Sequence, residues 1–221
     1  MSAPSPALRL ALPGTWEELP LGDDATITDA VATLVRAHYG RRDDQATFRA
    51  RQRDRLAEAA RRARDGGATQ YHLSIAAPGG LVFASSVAEY RPGLPLGASA
   101  DPAAVADQLV RVLSPGDGEG DDAGDGHWDR FARSGGAAFE KGEGLVLRTE
   151  RRLDPSSDDR DAPVAIADYW LTVPGSAAVV LLTFTTALAE LAPLLTELFD
   201  AIVGAAHWVP AGGSLRAELI G

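Results

Sequence analysis

The chain of 221 residues contains no cysteine, one methionine and one lysine. Without cysteine it forms no disulfide bond, and zinc or iron–sulfur sites built on thiolates are excluded. The longest apolar runs, such as AAVVLLTF, are much shorter than a membrane span. The opening residues, MSAPSPALRLALPG, lack the charged segment and apolar core of a secretory signal. We therefore expect no membrane partner and a cytoplasmic location.

Basic charge is also scarce. The net charge is -10 and the pI is about 4.8, which argues against general binding to nucleic acid or anionic membranes. Almost all basic residues are arginines, and alanine and glycine are abundant, as in proteins from GC-rich bacterial genomes. The 45% of hydrophobic residues provide enough apolar material for a core.

Signatures of catalysis are missing. The chain has no G-x-S-x-G motif, no P-loop and no G-x-G-x-x-G between a strand and a helix. Ser85 and Ser86 lie inside a predicted strand, and acid pairs such as Glu17 with Glu18 are expected by chance among 31 acids. The same applies to Glu89 with Glu150. We predict no catalytic residue and no cofactor, so the protein is not expected to be an enzyme, although a site assembled from scattered residues remains an alternative.

Hydrophobic periodicity predicts ten elements in the order β, α, α, β, β, α, β, β, β, α. Strands flank the Pro13-Gly14 turn, hairpins cover 69–90 and 164–186, and a further strand covers 144–154. Helices are predicted at 26–40, 45–67, 101–114 and from about 190 to 209. Since hairpins dominate, the order predicts an α+β fold, a mainly antiparallel sheet with helices packed on its faces, in a single domain spanning 1–221.

The stretch SPGDGEGDDAGDGHWD, residues 114–129, suggests a calcium loop at first sight. An EF-hand loop that begins at Asp117 requires glycine at its sixth position and glutamate at its twelfth. The chain has Asp122 and Trp128 there. We therefore interpret 114–126 as a flexible acidic, glycine-rich loop that binds no metal. Binding of a small ligand or metal by this loop remains an alternative, as does a weak site at His127, which Asp125 and Asp129 flank.

The helix predicted at 45–67 departs from the acidic average, because the segment 41–65 carries nine arginines and five acidic residues. Its apolar stripe is thin, consisting of Phe48, Leu56, Ala59, Ala60 and Ala63. The predicted partner-binding residues on its surface are Arg49, Arg51, Arg53, Arg55 and Arg62. No aromatic residues are interleaved with the arginines, so a protein partner is favoured over nucleic acid. The loop 91–100 is a second predicted contact surface.

Three stretches together resemble the PsbP-like superfamily. They are LALPGTWEELPL near the start, the hairpin DYWLTVPGSAAVVLLTFTT and the closing helix LLTELFDAIVGAAHWV. The resemblance implies an α/β/α sandwich, and the superfamily includes actinobacterial proteins of unassigned role. Its members mostly act in binding or assembly and share no catalytic centre, so no functional residues transfer. The two-helix insertion with the arginine-rich face departs from the simplest pattern of that superfamily.

These observations predict a non-catalytic bacterial protein that works through protein–protein contact. The resemblance suggests an accessory of a secretion, toxin–immunity or injection assembly. The sequence does not indicate the oligomeric state.

Overall fold

The computed structural model of the protein describes residues 5–39, 46–76, 84–115, 126–155 and 163–210. Their helices are α1 (Asp24–Tyr39), α2 (Ala46–Asp65), α3 (Pro102–Leu113), α4 (His127–Arg133) and α5 (Ala192–Ala205). Their strands are β1 (Ala7–Arg9), β2 (Thr15–Glu18), β3 (Ala68–Ala76), β4 (Ser85–Tyr90), β5 (Ala137–Lys141), β6 (Gly144–Leu153), β7 (Val164–Thr172), β8 (Val179–Thr186) and β9 (His207–Val209). A short 3-10 helix, Ala189–Leu191, precedes α5. The predicted α+β class is confirmed.

Seven strands form one sheet in the order β2-β3-β4-β8-β7-β6-β5. Every neighbouring pair in it is antiparallel. The strands β1 and β9 form a separate antiparallel pair, with Leu8 opposite Trp208. The two predicted strands around Pro13-Gly14 therefore exist, but they pair with different partners in different sheets.

Helices cover both faces of the large sheet. Because successive strand residues point to opposite faces, Val87 and Ala88 of β4 enter different cores. On one face of the sheet, which we call the α5 face, Val87 and Phe184 pack against α5, and Leu8 of β1 belongs to the same cluster. The opposite face, the α2 face, packs β3 and β4 beneath α1 and α2. On the same α2 face, α3 and α4 cover Leu147 of β6.

The ends of α3 and α5 follow the expected chemistry. Asp101 caps α3 by accepting a hydrogen bond from the Ala104 amide at 3.2 Å, and Pro102 opens the helix. Pro193 lies in the first turn of α5, where its missing amide hydrogen costs no helical hydrogen bond. The helix therefore begins at Ala192, close to the predicted start.

The predicted apolar stripe of α2 is partly wrong. Ala60 and Ala63 are buried as expected, but Ala57 is buried in addition and Phe48 is 46% exposed. Phe48 precedes Ala57 by nine residues, or about two and a half helical turns, which places it on the opposite side of the helix. The alanines lie against α1 and the sheet, and their small side chains allow a close approach.

The structure adds two strands to the prediction and describes one predicted hairpin in part. In the hairpin predicted at 69–90, β4 covers Ser85–Tyr90, and residues 77–83 lie outside the described residues. The strands β5 and β9 were not predicted. Both are short, and β9 follows directly on α5, so the helical pattern hides it. No helix in the described part of the chain is long and apolar enough to cross a bilayer.

We predict that replacing Phe184 destabilises the protein far more than replacing Phe48. Phe184 is fully buried and stacks on Phe199 with ring centroids 4.5 Å apart. Phe184→Ala should lower the free energy of unfolding by about 3–5 kcal/mol because it leaves a cavity in the core. The matched change Phe48→Ala should lower it by less than about 1 kcal/mol. Urea denaturation measures both, and equal losses would contradict the assignment of the core.

Candidate binding cleft

A large open cleft lies on the α2 face, between the α1–α2 helix pair and the sheet. Its volume is about 1330 Å³. The apolar residues that line it include Val31, Leu34, Val35, Leu56, Leu73, Ala88, Val164 and Ile166. The cleft extends under α2 from β3 across β4 and β8 to β7, so its floor consists of the middle of the sheet.

The floor carries hydroxyl groups on neighbouring strands. Ser86 of β4 is opposite Thr185 of β8, and Thr183 lies one side-chain position further along β8. Tyr71 of β3 and Tyr90 of β4 also line the cleft. These side chains share one face because strand residues two positions apart point in the same direction. The cleft therefore combines apolar walls with a row of hydrogen-bonding groups.

A buried carboxylate lies beside this floor and is satisfied internally. Asp168 of β7 is 6% exposed and is paired with Thr183 across the β7–β8 register. The Thr183 hydroxyl donates a hydrogen bond of 2.7 Å to one carboxylate oxygen of Asp168. Arg151 donates to the other oxygen. With both oxygens engaged, Asp168 joins β6, β7 and β8 and supports their register.

The two tyrosines of the floor act as hydrogen-bond donors in neutral solution. Burial raises the pKa of Tyr71 to about 12, and its hydrogen bond with Ser86 offsets part of this effect. Burial also raises the pKa of Tyr90, and the negative charge of Asp168 adds to the shift. Both phenols therefore stay protonated well above neutral pH.

The predicted partner-binding arginines divide between two sides of α2. Arg53 precedes the buried Ala60 by seven residues, or two turns, so it lies on the same side of α2 as Ala60. Arg53 is also one of the residues that line the cleft. Arg49, a further turn towards the start, lies on this side as well and is half-buried. Arg51, Arg55 and Arg62 are exposed on the outer side, and of these Arg55 and Arg62 reach the rim of the cleft.

Two other arginines attach α2 to α1. Arg64 donates to Asp24 at 2.7 Å and to the Gly22 carbonyl at 3.2 Å. Arg61 donates to the Thr28 hydroxyl at 3.3 Å. The hydrogen bond from Arg64 is the main cause that holds the pKa of Asp24 below its ordinary value. These contacts fix α2 at its C-terminal end, while Arg53 and Arg55 of its N-terminal half line the cleft.

The histidine considered as a metal ligand has a different role. His127 begins α4, and its Nε2 shares a hydrogen bond of 2.5 Å with Asp107 of α3. Trp128 donates to the same carboxylate oxygen at 3.2 Å. The bond from His127 is the main cause that lowers the pKa of Asp107. His127 therefore joins α4 to α3, and residues 116–125 of the acidic loop lie outside the described residues.

The other candidates do not converge on one site. Glu89 is buried and accepts a hydrogen bond of 3.0 Å from Arg91. Glu150 forms an ion pair with Arg148. The strands β8 and β7 lie between β4, which carries Glu89, and β6, which carries Glu150. Glu17 and Glu18 are consecutive on β2, as Ser85 and Ser86 are on β4, so the members of each pair point to opposite faces.

The loop 91–100 contacts the protein mainly through its apolar residues. Leu96 is 3% exposed and packs with α3, and Leu94 packs against the same cluster. Within the described part of the chain, no three His, Asp or Glu side chains are grouped so that they could hold a metal ion.

Sequence reasoning missed the floor of the cleft. A signal for it exists, because Thr183 and Thr185 alternate with the buried residues Leu182 and Phe184 along β8. Alternation of this kind indicates a strand face that is not packed as a dry core. The cleft itself depends on the distance between α2 and β8, which no local pattern contains.

We predict that Tyr71 contributes to the loss of stability at high pH. The pKa of Tyr71 is about 12 in the folded protein against an ordinary value of 10.0, so the folded state favours the neutral phenol. The contribution of the neutral Tyr71 to the free energy of unfolding is complete below pH 10 and is lost as pH rises towards 12. The free energy of unfolding then falls by up to about 1.4 kcal/mol per pH unit. Tyr71→Phe should make this dependence shallower in urea denaturation from pH 10 to pH 12. An unchanged slope would show that Tyr71 is not buried as described.

Comparison of the chain with protein-family models, with curated proteins and with solved structures gives no match in any of the three. The cleft is therefore interpreted from its own residues. The PsbP-like resemblance stays a prediction from the sequence.

Proposed function

We propose that the protein is a non-catalytic binding protein that accepts an acidic segment of a partner protein in the cleft beneath α2. The observation that carries this proposal is the position of Arg53, Arg55 and Arg62 around an open, apolar-walled cleft. A partner segment that combines carboxylates with an apolar side chain matches both features. The carboxylates meet the arginines, and the apolar side chain enters the cleft.

Charge supports an acidic partner. The helix α2 carries seven arginines and three acidic residues, whereas the whole chain has a net charge of -10. The helix is therefore a local basic surface on an acidic protein, and it attracts an acidic segment at short range. A long nucleic acid experiences the repulsion of the remaining chain as well, which favours a protein partner.

The size of the cleft supports a peptide segment over a small molecule. Small-ligand pockets usually measure about 300–1,000 Å³ and enclose most of the ligand. The present cleft is larger, at about 1330 Å³, and is open on one side. It has room for several consecutive side chains.

The polar groups of the floor suit binding better than catalysis. Asp168 is engaged by Arg151 and Thr183, and the phenols of Tyr71 and Tyr90 stay protonated. The two phenols offer hydrogen-bond donors to a peptide backbone or side chain. The lining residues that could act as a general base, His38, Asp54 and Glu58, lie on α1 and α2 and not on this floor.

A biological context completes the proposal. Layers of helices on both faces of an antiparallel sheet are what the PsbP-like resemblance implies, and proteins of that superfamily mostly act in binding or assembly. An accessory role in a bacterial secretion, toxin–immunity or injection assembly, in the cytoplasm, is part of the same proposal.

We predict that Arg53 contributes more to binding than Arg51. Short peptides displayed on phage and selected on the full chain should be enriched in Asp and Glu together with an apolar residue. Arg53→Glu should weaken the binding of a selected peptide by about tenfold or more, because it places a like charge at the cleft. Fluorescence anisotropy with the synthetic peptide measures the affinity.

Arg51→Glu is the matched control. It makes the same change of charge two residues away, on the outer side of α2, and both side chains are exposed. We expect it to weaken binding only about two- to threefold, through longer-range electrostatics. Equal effects of the two variants, or selection of peptides without acidic residues, would overturn the proposed use of the cleft.

A further inference from the structure

The outer surface of α5 is unusually apolar. The charged residues of this helix are Glu197 and Asp200, and Asp200 points inward to accept a hydrogen bond of 2.8 Å from Tyr169. Leu194 is 63% exposed, more than the other large apolar side chains in the described part of the chain. A helix that covers a sheet normally presents polar residues to solvent. The outer side of α5 therefore has the composition of a contact surface.

The apolar residues of this surface form a straight seam. Leu194, Leu198, Ala201 and Ala205 follow one another at spacings of four, three and four residues. This is the spacing of the contact positions of a coiled coil, and it places all four on one side of the helix. Ala201 and Ala205 are exposed and Leu198 is half-buried. The inner side, with Leu195, Phe199 and Ile202, packs into the core, and the half-buried Leu198 also contacts this core.

We infer that this seam pairs with the same seam of a second copy of the chain, with the two α5 helices antiparallel about a twofold axis. The seam has two leucines in its first half and two alanines in its second half. An antiparallel pairing sets Leu194 against the partner's Ala205 and Leu198 against the partner's Ala201. Each large side chain then meets a small one, so the two copies fit without overlap.

The charges at the ends of the seam are complementary in the same arrangement. Lys141 donates hydrogen bonds to the carbonyls of Gly204 at 2.8 Å and Ala206 at 2.5 Å, which places a cation at the C-terminal end of α5. Glu197 is exposed near the N-terminal half. In the antiparallel pair Glu197 lies close to the partner's Gly204 and hence to the partner's Lys141. A parallel pair would bring like charges together.

The pairing is independent of the cleft, since the seam and the cleft lie on opposite faces of the large sheet. A contact through one helix of about 20 Å is small, so we expect an association that is detectable at protein concentrations of roughly 100 µM. Each copy has a net charge of -10, and the repulsion between copies is screened at an ionic strength of about 0.5 M.

We predict that Leu194→Glu abolishes this dimer. Sedimentation velocity of the full chain at increasing concentration and about 0.5 M salt should show a monomer–dimer equilibrium. Leu194→Glu should raise the dissociation constant by more than about tenfold, because it places a carboxylate inside the seam. Val112→Glu makes the same change at another exposed apolar residue, 47% exposed on α3, and should leave the equilibrium unchanged. Circular dichroism verifies that both variants are folded.

A cysteine test determines the orientation. The chain has no cysteine, so Leu194→Cys and Ala205→Cys each introduce a single thiol. In the antiparallel pair, oxidation should give a disulfide-linked dimer when the two variants are mixed. Each variant alone should stay largely unlinked, because its two thiols lie at opposite ends of the contact.

Three results would overturn the inference. They are a monomer at every concentration and salt level, a dimer that Leu194→Glu leaves intact, and rapid disulfide formation by Leu194→Cys alone. The last result would indicate a parallel pair.

Discussion

The packing of Phe184, which stacks on Phe199 and meets Tyr169 edge to face, determines which way the central strands face. The Phe184 ring lies 4.5 Å from that of Phe199 on α5 and 5.5 Å from that of Tyr169 on β7, measured between centroids. With Phe184 pointing to α5, alternation along β8 sends Thr183 and Thr185 to the opposite face. A shift of one residue in register would bury these hydroxyls under α5 and expose the aromatic ring. The packing of α5 thereby places the hydroxyl groups on the floor of the cleft.

The two helical layers are held to the sheet in different ways. On the α5 face the aromatic stack is joined by a polar contact, in which Asp200 accepts from Tyr169 and pairs with Arg148. Burial, together with Asp200, raises the pKa of Tyr169 well above its ordinary value. On the α2 face the buried side chains of α2 are alanines, and its ion pairs lie near the surface. Surface ion pairs contribute little to stability, so α2 is the less firmly attached layer.

That difference suits the proposed role of the cleft. A binding site for a peptide segment benefits from one firm wall and one wall that adapts to the side chains it receives. The sheet supplies the firm wall through the β7–β8 hairpin and the stack above it. The helix α2, attached to α1 by Arg61 and Arg64 near one end, supplies the adaptable wall.

Sequence patterns predicted the layers of this fold better than its site. The alternation in β7 and β8 and the caps of α3 are local, so they could be read directly from the chain. The apolar stripe predicted for α2 includes Phe48, yet the angular position of this residue on the helix leaves it exposed. The exposure of Arg51, Arg53, Arg55 and Arg62 was predictable from composition. Which of them faces the cleft was not, because that depends on where α2 crosses the sheet.

The positions of the seam and the cleft have a joint consequence for binding. In the proposed dimer the two α5 helices lie at the centre, and each large sheet separates its own cleft from the contact. The two clefts therefore open on opposite outer sides of the assembly. A partner with two acidic segments engages both clefts only if its linker spans the dimer, and binding is then strengthened through effective concentration. A partner with one segment gains nothing from the dimer. The weak pairing of α5 would thus make the protein respond to the number of segments as well as to their chemistry.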